Sequence, residues 1–220
     1  MTDWVAMLTQ QRWSIVIPVK RPEFAKTRLA DTVGDLRPQL ARAFAADTVA
    51  AALACPDVEN VTVVTDDDEV TAEVRLFGAD VVPDSPDAGL NAALLHGAEA
   101  IRARRPSAAV ASLSADLPSL RPEELRRVLA AATAHPTSFV ADAGGTGTTL
   151  YASMPGAIFA PMFGGRSRAA HRAAGAVELD LDSIPSMRRD IDTAVDLWDA
   201  TRLGLGPRTA AVMLQRETPL

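Results

Sequence analysis

Apolar residues along this 220-residue chain alternate between short continuous runs and longer helical stripes. The continuous runs are Trp13 to Val19, Val61 to Thr65, Ala79 to Val82, Ala108 to Leu113 and Ser138 to Ala141, all rich in β-branched or small apolar side chains. The first, second and fourth are apolar at nearly every position, the mark of strands covered on both faces. Between most of them the spacing becomes helical. From Leu36 to Ala54, Leu36, Leu40, Ala43, Phe44, Ala51 and Ala54 share one face; Leu90, Leu94, Gly97, Ala98 and Ile101 form a second stripe, and Leu125, Val128, Leu129 and Ala132 a third. Pro122, Glu123 and Glu124 open the third helix, where a missing N–H costs nothing and negative charge suits the dipole. Strand alternating with helix predicts an α/β fold with a mostly parallel central sheet. After Ala141 glycines and arginines replace the long apolar runs, so a loop-rich region closing over the sheet is expected there. Two helices, Thr193 to Leu203 and Pro207 to Gln215, end the pattern, and the whole of residues 1–220 reads as one domain.

Asp47 interrupts this regularity, because it falls in the middle of the apolar face of the first long helix. A carboxylate there needs a partner or must take up a proton. Bonding to a nearby backbone or arginine is the expected solution, ahead of a catalytic role.

Composition narrows the class. A formal net charge of -6 argues against a nucleic-acid or anionic-membrane partner, since such surfaces demand a broad basic face. Cys55 is the single cysteine, which excludes an intrachain disulfide and a cysteine-rich zinc site. The opening Met1-Thr2-Asp3-Trp4 lacks a basic flank followed by an apolar stretch, and no run approaches the roughly 18 apolar residues of a membrane span. A soluble cytoplasmic protein is expected.

In an open parallel sheet, ligands gather beyond the carboxyl ends of the strands. After the first strand stand Lys20, Arg21, Lys26 and Arg28, a cationic cluster suited to a triphosphate as well as to plain solvent exposure. The fourth strand runs out through Ser114-Ala115-Asp116-Leu117-Pro118, placing one carboxylate where Mg²⁺ could meet substrate phosphates, or where a turn needs an Asp. Asp190-Ile191-Asp192-Thr193 supplies further carboxylates just ahead of a helix, with Asp192 or Thr193 also able to cap it. Gly144 to Thr149 and Phe163 to His171 pair glycines with hydroxyls, a composition for anion binding by backbone N–H groups or for flexible loops. His96, His135 and His171 share no metal spacing, and only His171 falls near these segments.

Taken in order, Ile-Pro-Val-Lys at Ile17 to Lys20, Ala-Lys-Thr-Arg-Leu at Ala25 to Leu29, Gly-Leu-Asn-Ala-Ala at Gly89 to Ala93 and Asp-Leu-Pro at Asp116 to Pro118 are followed by Gly-Thr-Gly-Thr at Gly145 to Thr148, Phe163-Gly164 with Ser167 and His171, and Asp-Ile-Asp-Thr at Asp190 to Thr193. The set resembles the phosphoenolpyruvate and 2-phospho-L-lactate guanylyltransferases of coenzyme F420 biosynthesis, in order and over nearly the whole chain. The resemblance implies a nucleotide-diphospho-sugar-transferase-like, Rossmann-like fold related to molybdenum cofactor guanylyltransferases. It implies Mg²⁺ held by Asp116 and Asp190, with Lys26 also catalytic. Thr148, Gly164 and Ser167 would bind the acceptor, Lys20, Lys26 and Arg28 the triphosphate, and Gly89, Leu90 and Asn91 the nucleoside. The loop Arg21 to Phe24 departs from the smaller residues usual in the family, which leaves the role of Arg21 open.

The implied activity is GMP transfer from GTP to phosphoenolpyruvate, with transient handover of the product to the next transferase of the pathway. An acceptor phosphate is already ionised at neutral pH, so attack on the α-phosphorus needs alignment and charge suppression rather than a protein base. The alternatives are 2-phospho-L-lactate, a molybdopterin or a sugar phosphate as acceptor, or a non-catalytic GTP-binding protein. No Gly-x-Gly-x-x-Gly follows the first strand, which speaks against a Rossmann dehydrogenase.

Overall fold

A computed structural model describes residues 11–20, 26, 29–85 and 87–215. Strands β1 (Trp13–Pro18), β2 (Val58–Val64), β3 (Asp80–Val82), β4 (Ala109–Leu113), β5 (Thr137–Ala141), β6 (Thr148–Ser153) and β7 (Val177–Glu178) form one sheet in the order β3-β2-β1-β4-β6-β5-β7. Parallel pairing joins β1 to β2 and β4, β2 to β3, and β5 to β7. Only β6 runs against its neighbours, β4 and β5. The helices are α1 (Ala30–Val33), α2 (Arg37–Leu53), α3 (Asp68–Leu76), α4 (Leu90–Arg104), α5 (Pro122–Ala132), α6 (Ser167–Ala173), α7 (Pro185–Arg188), α8 (Ala194–Leu203) and α9 (Pro207–Leu214).

Alternation along β1 explains the layers. Ile15 and Ile17 point to one face and join Val49 of α2, Val70 and Val74 of α3, and Leu125, Val128 and Leu129 of α5. Val16 points to the other face, against Leu94, Ala98 and Ile101 of α4. Each large apolar side chain so covered contributes roughly 1.5–3 kcal/mol relative to exposure. Gly97 lets α4 lie directly on the sheet, since a Cβ there would come within 2.6 Å of Val16 Cγ1 and 2.8 Å of Val64 Cγ2.

The expectation of a loop-rich cover after Ala141 is overturned by β6. All six of its residues are buried, and it is inserted between β4 and β5 in the middle of the sheet. Its run Thr148-Thr149-Leu150-Tyr151-Ala152-Ser153 carries hydroxyls at both ends, which hides a central strand behind a polar composition. Helix α3 was also absent from the hydrophobic pattern, because it buries only Val70 and Val74; Asp67 caps it by accepting from the Val70 N–H at 2.8 Å.

Asp47 finds its partner in the backbone. Its carboxylate accepts from the N–H groups of Thr209 at 2.8 Å and Arg208 at 3.2 Å, at the start of α9. Gly206 leaves room for it, since any side chain at that position would collide with the carboxylate. A carboxylate so placed offsets the positive end of the helix dipole, worth about 1–2 kcal/mol in a buried setting. No described helix is long and apolar enough to cross a membrane.

Candidate active site

The antiparallel insertion of β6 builds the site. Because β6 opposes β4, its first residue lies beside the last residues of β4: Leu113 pairs with Leu150, and the Ser114 N–H donates to the Thr149 carbonyl at 2.8 Å. Thr148 therefore stands next to the β4 exit that carries Asp116. Thr48 of α2 shapes that exit, its hydroxyl accepting from the Leu117 N–H at 3.1 Å and lying 3.2 Å from the Ala115 carbonyl. The Ile191 N–H donates to the Asp116 carbonyl at 3.2 Å, which draws Asp190 and Asp192 to the same place.

Two clefts meet there. One, of about 570 Å³, is lined by Thr148, Gly164, Ser167, Asp142, Asp190 and Ser114; the other, of about 390 Å³, by Lys20, Val19, Leu94, Ala45 and Asp116. Lys26, Asp192, Leu90, Phe163 and Ser114 line both. The Lys26 ammonium pairs with Asp116 and, at 2.9 Å, with Asp192, 166 residues away. Burial disfavours its charge, but Asp116 and then Asp192 outweigh that and hold its pKa above the usual lysine value. Lys26 itself sits at φ +56°, in the left-handed region of backbone space.

Among the described residues no cation pairs with Asp190. Burial, then the like charges of Asp116, Asp192 and Asp142, push its pKa up from 3.8 to about 7. Among the described residues no group of three or more His, Cys, Asp or Glu side chains forms a metal cage. Magnesium needs none, since it takes one or two carboxylates and completes its shell with phosphate oxygens and water. A half-buried carboxylate raised by its acidic neighbours, beside an ammonium already drawn onto two of them, is a donor set short of positive charge. A divalent cation fits it.

The other half of the larger cleft is lined mostly by neutral hydroxyl and backbone groups, with Asp142 as its carboxylate. Asp142 closes the 142–147 turn by accepting from the N–H groups of Thr146 and Gly147, both at 2.9 Å. Arg168 holds that turn from behind, donating to the Gly145 carbonyl at 2.9 Å and pairing with Glu178. Gly164 adopts φ +148°, and its carbonyl accepts from the Ser167 N–H at 3.0 Å.

The structure thus brings together Asp116, Asp190, Lys26, Thr148, Gly164, Ser167, Lys20 and Leu90. Gly89 precedes α4 with φ +94° and is not among the lining residues. Asn91 is engaged by the loop: its Oδ1 accepts from the Phe163 N–H at 2.8 Å and its Nδ2 donates to the Phe163 carbonyl at 3.0 Å. Arg28, like Arg21, lies outside the described residues. Asp192 enters as the second partner of Lys26, while Thr193 caps α8 in a reciprocal box with Asp196. Asp142 and Thr48 carried no sequence signal beyond their residue types.

This geometry agrees with the similarities of the chain to known proteins. Residues 35–177 match the family described as a MobA-like NTP transferase domain. Over 202 residues, 91% of this chain and 95% of the relative, the sequence is 60% identical to a phosphoenolpyruvate guanylyltransferase of Streptomyces coelicolor. The chain belongs to the phosphoenolpyruvate guanylyltransferase family. Its members are nucleotidyltransferases, and so is this chain. At the level of fold, a nucleotide-diphospho-sugar transferase from Desulfovibrio desulfuricans G20 superposes with a TM-score of 0.68 at 18% identity, covering 94% of this chain and 96% of that one. A Mycobacterium tuberculosis H37Rv protein crystallised with manganese superposes at 0.50 and 18% identity, covering 88% of this chain and all of that one. The nucleotide-diphospho-sugar-transferase-like fold with a mostly parallel sheet, expected from the sequence, is the observed one.

Proposed function

We propose that the protein transfers GMP from GTP to phosphoenolpyruvate with Mg²⁺, releasing pyrophosphate, as a step of coenzyme F420 assembly. The observation that carries this reading is the junction of the two clefts, where Lys26, Asp116, Asp190 and Asp192 concentrate charge between a polar and a more apolar compartment. Family membership and the name of the Streptomyces coelicolor relative support the choice of substrates.

The more apolar cleft suits the nucleoside, with Leu90 and Leu94 on its wall and Lys20 at its edge. The polar cleft suits a small acid bearing a carboxylate and a phosphate, which Thr148, Ser167 and the Gly164 backbone would hold by hydrogen bonds. Mg²⁺ bound by Asp116 and Asp190 would offset the negative charge of both reacting phosphates. Lys26 would exchange its carboxylate partners for triphosphate oxygens. With both anions in line, an acceptor phosphate oxygen forms the new bond to the α-phosphorus, and the bond from that phosphorus to the β-phosphate oxygen breaks. No proton has to move. The product is a nucleotide-activated acid, chemically suited to handover to a second transferase.

The test is incubation of the protein with GTP, Mg²⁺ and each acceptor separately, with mass spectrometry of the product. A guanylylated product from phosphoenolpyruvate is expected. Reaction with 2-phospho-L-lactate alone would overturn the acceptor, and reaction only with a pterin or sugar phosphate would overturn the substrate class.

A further inference from the structure

The ring of His171 joins three separate pieces of the acceptor half of the site, yet it does not line the cleft. It is fully buried on α6. Tyr151 stacks on it with ring centroids 4.8 Å apart, and Phe139 and Phe163 approach at 5.4 and 5.6 Å. Its Nε2 accepts from the Met162 N–H at 2.8 Å, and its Nδ1 lies 3.0 Å from Thr148 Oγ1.

These contacts determine where the proton sits. A backbone N–H can only donate, so Nε2 must offer its lone pair to Met162. An imidazolium, or the neutral tautomer protonated at Nε2, would set two donors against each other in a buried box. The remaining form carries its proton on Nδ1. That N–H points at Thr148 Oγ1, which must then accept. Thr148 Oγ1 has no other hydrogen bond to the described residues, and Thr148 lines the polar cleft. Its own hydroxyl proton is left to point into that cleft. Were the imidazole protonated at Nε2 instead, the hydroxyl would turn inward to donate to Nδ1 and present a lone pair to the incoming anion. Burial agrees with the neutral form: it pushes the His171 pKa down to about 4, against a smaller opposing effect of the Ser167 backbone.

We propose that His171 is a positioning residue for the acceptor: locked as the Nδ1–H tautomer by the Met162 amide, it donates to Thr148 and thereby turns the Thr148 hydroxyl into a hydrogen-bond donor for the acceptor anion. The proposal rests on the reading of the polar cleft as the acceptor site. The same ring ties Met162 to α6, while Asn91 clamps Phe163 with two hydrogen bonds, so the loop segment leading to Gly164 is held from two sides. A neutral donor of fixed direction favours an anion without adding a charge next to the acidic junction.

The first arm of the test needs no substrate. Nitrogen NMR of the free protein with ¹⁵N-labelled histidine, between pH 6 and 8, should show His171 protonated at Nδ1, bare at Nε2 and not titrating. A resonance pattern of the Nε2–H tautomer would overturn the proposal. The second arm separates the two contacts. His171→Gln keeps an acceptor near Met162 but lacks a donor at the Nδ1 position; His171→Asn places an amide donor near Thr148 but lacks the reach to Met162. In His171→Gln the acceptor KM should rise about tenfold with the GTP KM unchanged, while His171→Asn should restore most of that loss. Equal losses for both substrates, or no change in acceptor KM, would also overturn it. If the wild-type protein does not use phosphoenolpyruvate, the acceptor reading falls while the NMR arm still decides the tautomer.

Discussion

The two halves of the larger cleft solve opposite problems. Around Asp190 the protein gathers carboxylates that repel one another, with Lys26 covering Asp116 and Asp192 and no cation among the described residues paired with Asp190. Around Thr148 every contact is neutral and already complementary: the Met162 N–H, the His171 ring and the Thr148 hydroxyl form one directed chain. The acidic half suits a cation that arrives from outside, whose charge would relieve this repulsion. The neutral half is arranged in advance of its ligand. A site that must join two polyanions needs both, because positive charge cancels their repulsion while fixed donors set their alignment.

The contrast predicts that damage to the acidic half lowers activity far more than it lowers stability. Asp116→Asn and Asp190→Asn should each lower Mg²⁺-dependent pyrophosphate release on the order of 10²–10³-fold. Near-normal turnover in either variant would remove that residue from the metal site.

A second experiment sharpens the comparison through pH. The pKa of Asp190 is higher in the folded protein than in the unfolded chain, so folding favours its protonated form. Its contribution to stability is complete below about pH 4 and is lost as pH rises through about 7. In EDTA at pH 8, Asp190→Asn should therefore be more stable than the wild type by roughly 2–4 kcal/mol, and nearly equal to it at pH 4. Denaturant melts at the two pH values measure this. A variant destabilised at pH 8 would mean that the carboxylate is satisfied by the protein alone.

The smallest effect is expected in the neutral half. Thr148→Val keeps the shape but leaves the His171 Nδ1–H without its side-chain partner, costing about 1–2 kcal/mol in stability. Acceptor KM should rise about tenfold and GTP KM should not move. If GTP binding weakened as much, the two halves would not be separate.

Much of the fold was legible because burial on both faces leaves continuous apolar runs: β1, β2 and β4 announce themselves, and α2, α4 and α5 show their stripes. Strand β6 was not legible, since its Thr and Ser hydroxyls resemble loop chemistry and its burial comes from the strands on either side. Asp116 was visible at a strand exit, and Asp190 from its motif. The engagement of Asn91 by Phe163, 72 residues on, was not. Nor was the role of Asp47, whose partners lie 161 and 162 residues later at the start of α9.

By itself the sequence determined which residues are paired with which element: apolar period sets strand or helix, and residue type at a strand exit sets what chemistry is on offer. Only the tertiary structure decided which groups meet. The reversal of β6 carries Thr148 to the β4 exit, Lys26 crosses to Asp192, and one buried ring links Thr148 to Met162. Local periodicity is a property of near neighbours along the chain, whereas charge repulsion and hydrogen-bond direction depend on distance in space, which only the packed sheet and its connections set.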